Sequence, residues 1–138
     1  EYPTLEQIEA SIQAFSELGV DVMITELDID VLPRPGEHTG ADISEDYELK
    51  EELDPYRDGL PDSVQTALAE RYENIFELFM KHKQKISRVT FWGVNDGQSW
   101  KNYYPVHGRT NYPLLFDRQN QPKPAYDSVI QVAREKAK

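Results

Sequence analysis

The chain begins with apolar residues at helical spacing and continues into a short, nearly continuous apolar run. Thr4 and Gln7 fit a capping box, in which each side chain satisfies a free backbone N–H at the start of a helix. The apolar positions that follow, with the glycine that can end the helix, are Leu5, Ile8, Ile12, Phe15, Leu18 and Gly19. Val20 to about Leu27 then predicts a strand buried on both faces, as in a parallel sheet.

A second helix–strand pair and a last helix follow the same pattern. Asp62, with Gln65 after it, can cap a helix whose apolar stripe reaches Phe79, and a strand is predicted over about 87–94. Residues 124–138 predict the last helix. The order is therefore helix, strand, loop, helix, strand, loop, helix, which is typical of α/β folds.

The first of these loops, at about 33–62, is long and acidic. It is punctuated by proline and glycine, and it can hold a short helix around 46–53. A connection of this length is either functional or loosely ordered.

Two parallel strands cannot close a sheet, and a complete eightfold α/β barrel needs roughly 250 residues. The chain has 138 residues. We therefore predict that it is part of a larger α/β fold.

The charge balance excludes several classes of partner. There are 25 acidic and 15 basic residues, which give a net charge of −10. Nucleic acid binding needs a basic surface, so a nucleic acid partner is not expected. No apolar run is long enough to predict a membrane span. An acidic surface suits a protein that acts on a neutral substrate.

Residue types also argue against a metal or cofactor. The chain has no cysteine, which excludes disulfides and zinc–thiolate sites. His38, His82 and His107 lack metal-ligand spacing. The acidic stretch 42–58 lacks the alternating pattern of a calcium loop, so a solvated loop is favoured over a calcium site. No phosphate-binding glycine loop is present. We expect no cofactor and no metal.

Two carboxylates, Glu26 and Asp28, end the first predicted strand. Residues two apart on a strand point to the same side, where carboxylates can share a proton, bind a metal or divide roles around a third group. The simpler alternative is a polar strand end that faces solvent. The buried run before them favours a functional role, because α/β barrels keep their chemistry at the carboxyl ends of strands.

Two tryptophans, Trp92 and Trp100, lie in and after the second predicted strand, with Asp96 between them. An indole offers a flat apolar face on which the C–H face of a sugar ring can stack. Either tryptophan alone is more simply a core aromatic, but Ser99 and Lys101 give Trp100 a polar setting that argues against full burial. Together with Glu26, the two tryptophans indicate a sugar-cleaving site.

These motifs resemble those of a known enzyme family. Ile24-Thr25-Glu26-Leu27-Asp28-Ile29 resembles the strand-seven signature of family 10 glycoside hydrolases, the endo-β-1,4-xylanases. The strand-eight signature and the stretch before the last helix are matched by Phe91-Trp92-Gly93-Val94-Asn95-Asp96 with Ser99-Trp100, by Pro113–Asp117 and by Pro122–Tyr126. Asn95 stands where the family often has Thr or Ser. The resemblance covers the chain except the loop at 33–61. It implies the C-terminal segment of a (β/α)8 TIM barrel, with residues 1–138 forming part of a single glycosidase domain that is incomplete alone.

The resemblance also implies roles for individual residues. Glu26 would be the nucleophile, and Asp28 would orient a histidine that lies outside this chain. Trp92 and Trp100 would line the subsite of the attacked sugar. The family's acid/base, a Glu that follows an Asn, has no counterpart here, so it would come from an N-terminal segment of the same barrel.

The implied activity is endo-hydrolysis of β-1,4-xylosidic bonds in xylan by a retaining double displacement. The isolated chain is then expected to fold poorly and to be inactive. The resemblance implies a secreted, periplasmic or cell-surface location. Three alternatives stay open: another barrel glycosidase with its nucleophile at strand seven that acts on a glucan or mannan, a non-catalytic xylan-binding fragment, and a structural α/β fragment with no ligand.

Overall fold

The computed structural model describes residues 3–36 and 47–136 and contains three α-helices and two strands within them. In chain order these are α1 (Leu5–Glu17), β1 (Val22–Leu27), α2 (Asp62–Lys81), β2 (Ile86–Phe91) and α3 (Pro124–Lys136). Short 3-10 turns cover Glu51–Leu53, Asp96–Gln98 and Trp100–Asn102. The predicted order of helices and strands is confirmed.

The helices α1 and α2 begin in different ways. At α1 the capping box is present, because the Thr4 hydroxyl accepts from the Gln7 N–H at 3.2 Å and the Gln7 side chain accepts from the Thr4 N–H at 2.9 Å. The predicted cap at Asp62 is wrong. Asp62 is the first helical residue, and the cap position belongs to Pro61, whose side chain makes no capping bond.

The two strands pair in parallel, from Val22 opposite Ile86 to Leu27 opposite Phe91. One face of this sheet packs on the helices. The buried and partly buried side chains that form the two core clusters there come from both the strands and the helices, and include Ile12, Ile24, Leu68, Tyr72, Ile75, Phe79, Val89, Phe91 and Val129. The apolar stripe of α2 thus packs on the sheet, through Tyr72 and Phe76 against Phe91, and also on α3.

The opposite face of the sheet is uncovered in the described residues, so the prediction of strands buried on both faces is wrong for this chain. Met23 is 52% exposed, and Thr25, Arg88 and Thr90 are exposed as well. A two-stranded sheet has two faces, and the described helices pack on only one face.

Both strands run in the same direction, so Leu27 and Phe91 end at the same edge of the sheet. Residues that follow them are therefore brought together, and this edge holds the candidate site. No helix within residues 3–36 and 47–136 is long and apolar enough to cross a membrane.

Candidate active site

Glu26 lies near the end of β1 in a backbone conformation that is unusual for its residue type. Its φ is +58°, and the pairing of β1 with β2 shifts register between Ile24 and Leu27. Bulges of this kind redirect side chains and are common beside active sites. A left-handed, non-glycine residue costs on the order of 1–3 kcal/mol and persists only where the surroundings impose it.

The bulge changes the direction of the side chains around Glu26. Thr25 and Glu26 are consecutive exposed residues, while Leu27 packs against the core. The simple alternation that predicted Glu26 and Asp28 on one side of a regular strand is therefore wrong here. The two carboxylates are still close enough for the charge of Glu26 to raise the pKa of Asp28.

Asp28 is mostly buried and has two partners in the β2–α3 loop. Its carboxylate accepts a hydrogen bond of 2.8 Å from the Trp100 indole N–H, and the Lys101 ammonium lies 3.8 Å away. Burial raises the pKa of Asp28, while Lys101 and the Trp100 bond oppose that rise. Asp28 thus joins the ends of the two strands through its own side chain.

Trp100 is held on several sides and is still partly open to solvent. Its ring stacks on Tyr104 with centroids 5.2 Å apart and planes 15° apart, and the Lys101 ammonium lies 4.8 Å from the ring centroid. Trp100 as a whole residue remains 37% exposed, which confirms that it is not fully buried.

Trp92 follows β2 directly and is the more open of the two indoles. Its backbone N–H donates to the Leu27 carbonyl at 3.1 Å, so it lies beside the strand end that carries Glu26. The ring is 47% exposed. Gly93 has a φ of +143°, and an added Cβ would come within 2.8 Å of Leu114, so glycine is required where the chain turns away.

Asp96, which follows the second strand, is fully buried. Its carboxylate accepts from the Lys123 ammonium and from the Leu114 N–H, each at 2.9 Å. Lys123 also donates to the carbonyls of Tyr112 and Leu114. Burial raises the pKa of Asp96 and lowers that of Lys123, and each group opposes the shift of the other. The pair fixes the base of the loop that carries Trp100.

A second polar cluster supports the site, and sequence analysis did not identify it. Asp30 accepts from the Asn111 side-chain amide at 2.8 Å and lies 3.6 Å from Lys101. The Arg109 guanidinium lies 4.0 Å from Asp30 and donates to the carbonyls of Pro33 and Tyr104. The alternation of Asp28 and Asp30 after the strand could have indicated this cluster. Their partners lie about 70–80 residues later, however, so the sequence pattern does not identify them.

The part of the acidic loop from residue 47 onward packs on the loop between β2 and α3. Asp54 is 2% exposed and accepts from the Thr110 N–H at 2.8 Å, and the Tyr112 hydroxyl donates to the Tyr56 carbonyl at 2.7 Å. The predicted short helix is a 3-10 turn at Glu51–Leu53 where it is described, and residues 37–46 lie outside the described residues. Among the described residues, no group of three or more His, Asp or Glu side chains could hold a metal ion.

Comparison with known proteins identifies the family of this arrangement. The family model for Glycosyl hydrolase family 10 matches residues 1–132. Endo-1,4-beta-xylanase A of Xylanibacter ruminicola is 47% identical over 131 residues, which cover 95% of this chain and 36% of that protein. An endo-1,4-beta-xylanase of Geobacillus stearothermophilus is 39% identical over 133 residues, which cover 94% of this chain and 34% of that protein.

Solved structures agree with this likeness. A GH10 endoxylanase retrieved from a sugarcane soil metagenome superposes with a TM-score of 0.91 at 48% identity, covering 94% of this chain and 38% of that one. Xylanase B from Clostridium stercorarium F9 gives a TM-score of 0.74 at 39% identity, covering 94% of this chain and 33% of that one. The chain therefore spans about a third of the length of its relatives, as predicted for a segment of a TIM barrel. It belongs to glycosyl hydrolase family 10.

Proposed function

We propose that residues 1–138 form the C-terminal part of a single barrel domain and supply the nucleophile half of an endo-1,4-β-xylanase active site. The observation that carries the proposal is the bulge that exposes Glu26 at the carboxyl end of β1, beside Trp92 and the Asp28–Trp100 pair. An exposed carboxylate on a strained backbone, at a strand end that also holds two partly open tryptophans, suits attack on a sugar. Relatives that are named as endo-1,4-beta-xylanases add support.

The proposed reaction is a retaining double displacement. The Glu26 carboxylate attacks the anomeric carbon and forms a glycosyl ester, while a second carboxylic acid protonates the departing sugar oxygen. That second group then removes a proton from water as the water attacks the ester, which releases the sugar and regenerates Glu26. Trp92 and Trp100 stack on the ring that is attacked.

The second carboxyl group would come from an N-terminal segment of the same barrel. Retaining glycosidases place their two carboxyl groups about 5–5.5 Å apart, so both must meet at one strand edge. The uncovered sheet face around Met23 and Thr90 suits the packing of further strands. The same segment would supply the histidine that Asp28 orients. We therefore expect no hydrolysis from the isolated chain.

The partner substrate is xylan or a xylo-oligosaccharide, and no nucleic acid or membrane partner is proposed. A polymeric substrate of this kind fits a secreted, periplasmic or cell-surface enzyme. The acidic composition, with a net charge of −10, is compatible with a neutral polysaccharide.

The test is complementation. This chain would be refolded with the N-terminal segment of the Xylanibacter ruminicola relative, and the resulting assembly (the complemented protein) assayed for release of reducing sugar from xylan. Glu26→Gln keeps the shape of the side chain but removes its charge, and removal of a nucleophile costs on the order of 10⁴–10⁶-fold in rate.

Glu77→Gln is the matched control, because Glu77 is exposed on α2, away from the site. It is expected to leave the rate unchanged. Full activity of Glu26→Gln would contradict the proposal. Binding of xylo-oligosaccharides without turnover by the unaltered complemented protein would instead favour a xylan-binding fragment, and turnover of a glucan or mannan but not of xylan would favour the other glycosidase.

A further inference from the structure

Lys101 holds a position that the proposed reaction does not explain. Its ammonium lies 3.8 Å from Asp28 and 3.6 Å from Asp30, and it lies over the Trp100 ring. The side chain is only 13% exposed. A lysine adjacent to a sugar-stacking tryptophan could simply extend into solvent, but this one is turned inward between two carboxylates.

The charges near Asp28 would otherwise repel one another. Glu26 and Asp30 flank it in sequence, and the charges of both raise its pKa. Burial and the charge of Asp28 both raise the pKa of the Tyr72 hydroxyl, from α2, which donates to the Pro113 carbonyl. Lys101 is the cation that lies within 4.0 Å of both Asp28 and Asp30 among the described salt bridges.

Arg109 does not replace Lys101 in this arrangement. Its guanidinium reaches Asp30 at 4.0 Å, and it is also held by the carbonyls of Pro33 and Tyr104. Loss of Lys101 would therefore leave Asp28 without its nearby positive charge. A buried carboxylate in that position takes up a proton more readily.

We propose that Lys101 is a positioning residue of this site: its ammonium keeps Asp28 ionised, and ionised Asp28 fixes the Trp100 indole through a charge-assisted hydrogen bond. An N–H bond to a carboxylate is roughly twice as strong as one to a neutral group, so protonation of Asp28 loosens the indole. The proposal rests on the proposed function only in treating Trp100 as a sugar-stacking surface.

The test reads the Trp100 indole N–H directly. The chain contains 2 tryptophans, so labelling it with [¹⁵N]tryptophan and assembling it with an unlabelled N-terminal segment gives two indole signals, which Trp92→Phe assigns. The pH is lowered and the midpoint of the Trp100 signal is followed. Lys101→Met is expected to raise the midpoint by about one pH unit, because an opposite charge within 4–6 Å lowers a carboxyl pKa by that order.

Three matched variants separate charge from structure. Lys101→Arg keeps the charge and is expected to restore the original midpoint. Asp30→Asn removes a neighbouring negative charge and is expected to lower it. Lys85→Met makes the same change at an exposed lysine before β2 and is expected to leave it unchanged. An unchanged midpoint in Lys101→Met, or an equal shift in Lys85→Met, would overturn the proposal.

Xylan kinetics of the complemented protein provide the second readout. Because the Trp100 ring contacts sugar in the proposed function, Lys101→Met is expected to raise KM several-fold near and below the shifted midpoint and to leave KM unchanged well above it. A rise in KM of the same size at every pH, including pH values well above the shifted midpoint, would overturn the proposal. If the unaltered complemented protein fails to hydrolyse or bind xylan, the proposed function fails, whereas the indole titration still decides the role of Lys101.

Discussion

Two lysine–aspartate contacts that involve the loop between β2 and α3 differ in distance and burial: one stabilises the loop, and the other lies at the proposed active site. Lys123 and Asp96 meet directly at 2.9 Å, with side chains that are 6% and 0% exposed. Lys101 lies 3.8 Å from Asp28, and both side chains retain some exposure, at 13% and 9%. The first pair has backbone partners for its remaining polar atoms, and the second lies beside an open indole.

The difference shows that the Lys123–Asp96 pair keeps its loop rigid, whereas the Lys101–Asp28 pair can change its protonation state. A buried pair with complete hydrogen bonding holds its loop in one arrangement, and breaking it leaves a buried charge. The longer contact between Lys101 and Asp28 is more sensitive to pH, since a modest change in the pKa of Asp28 alters its protonation state and with it the contact. Glu26, with its left-handed backbone, lies two residues before Asp28 of this looser pair.

The largest expected effect is on the tight pair. Lys123→Met leaves Asp96 without its cation, and breaking a buried pair in this way lowers the free energy of unfolding by about 3–5 kcal/mol. Lys101→Met is the matched change in the loose pair, and we expect a smaller loss of about 1–2 kcal/mol, because the expected one-unit change in the Asp28 pKa corresponds to about 1.4 kcal/mol. Urea denaturation of the complemented protein at one protein concentration measures both. Equal losses would remove the distinction between the pairs.

The loss in Lys123→Met is expected to depend on pH. Burial already raises the pKa of Asp96 above the ordinary value of 3.8, and removal of Lys123 raises it further. Between the ordinary and the raised pKa, the folded state binds more protons than the unfolded state, so the free energy of unfolding falls as pH rises. The destabilisation should therefore be greatest at neutral pH and should shrink as the pH approaches 3.8.

A smaller effect, of opposite sign, is expected at Glu26. Glycine adopts the left-handed conformation without steric cost, whereas a residue with a Cβ pays roughly 1–2 kcal/mol. Glu26→Gly should therefore raise the free energy of unfolding by about 1 kcal/mol while abolishing hydrolysis. Glu26→Ala removes the same carboxylate but retains the Cβ, and should not gain stability. Equal stability of the two variants would show that the bulge stores no strain.

Local patterns predicted much of the fold. The capping box at Thr4, the order of helices and strands, and the meeting of Leu27 with Trp92 where the strands end follow from periodicity and from the rule that parallel strands end together. These features depend on neighbours in sequence or on general sheet geometry.

Features that depend on tertiary contacts were missed. The bulge at Glu26 interrupts a regular alternation that the sequence pattern assumes. Lys101, Arg109 and Lys123 are ordinary loop lysines and arginines in sequence. Arg109 and Lys123 become buried, and Lys101 becomes largely enclosed, only when residues far along the chain supply carboxylates and carbonyls. The apolar pattern of the strands predicts burial on both faces whether or not the covering layer is present, so it does not show which face is left uncovered in this segment.

The central claim is that Glu26 is the nucleophile, and trapping the glycosyl ester tests it most directly. The complemented protein would be incubated with a xylo-oligosaccharide analogue whose second step is slow, digested and analysed by mass spectrometry. We predict the added sugar mass on the peptide that carries Glu26, and none in Glu26→Gln. Labelling of another carboxylate, or steady turnover with no covalent species, would contradict the assignment.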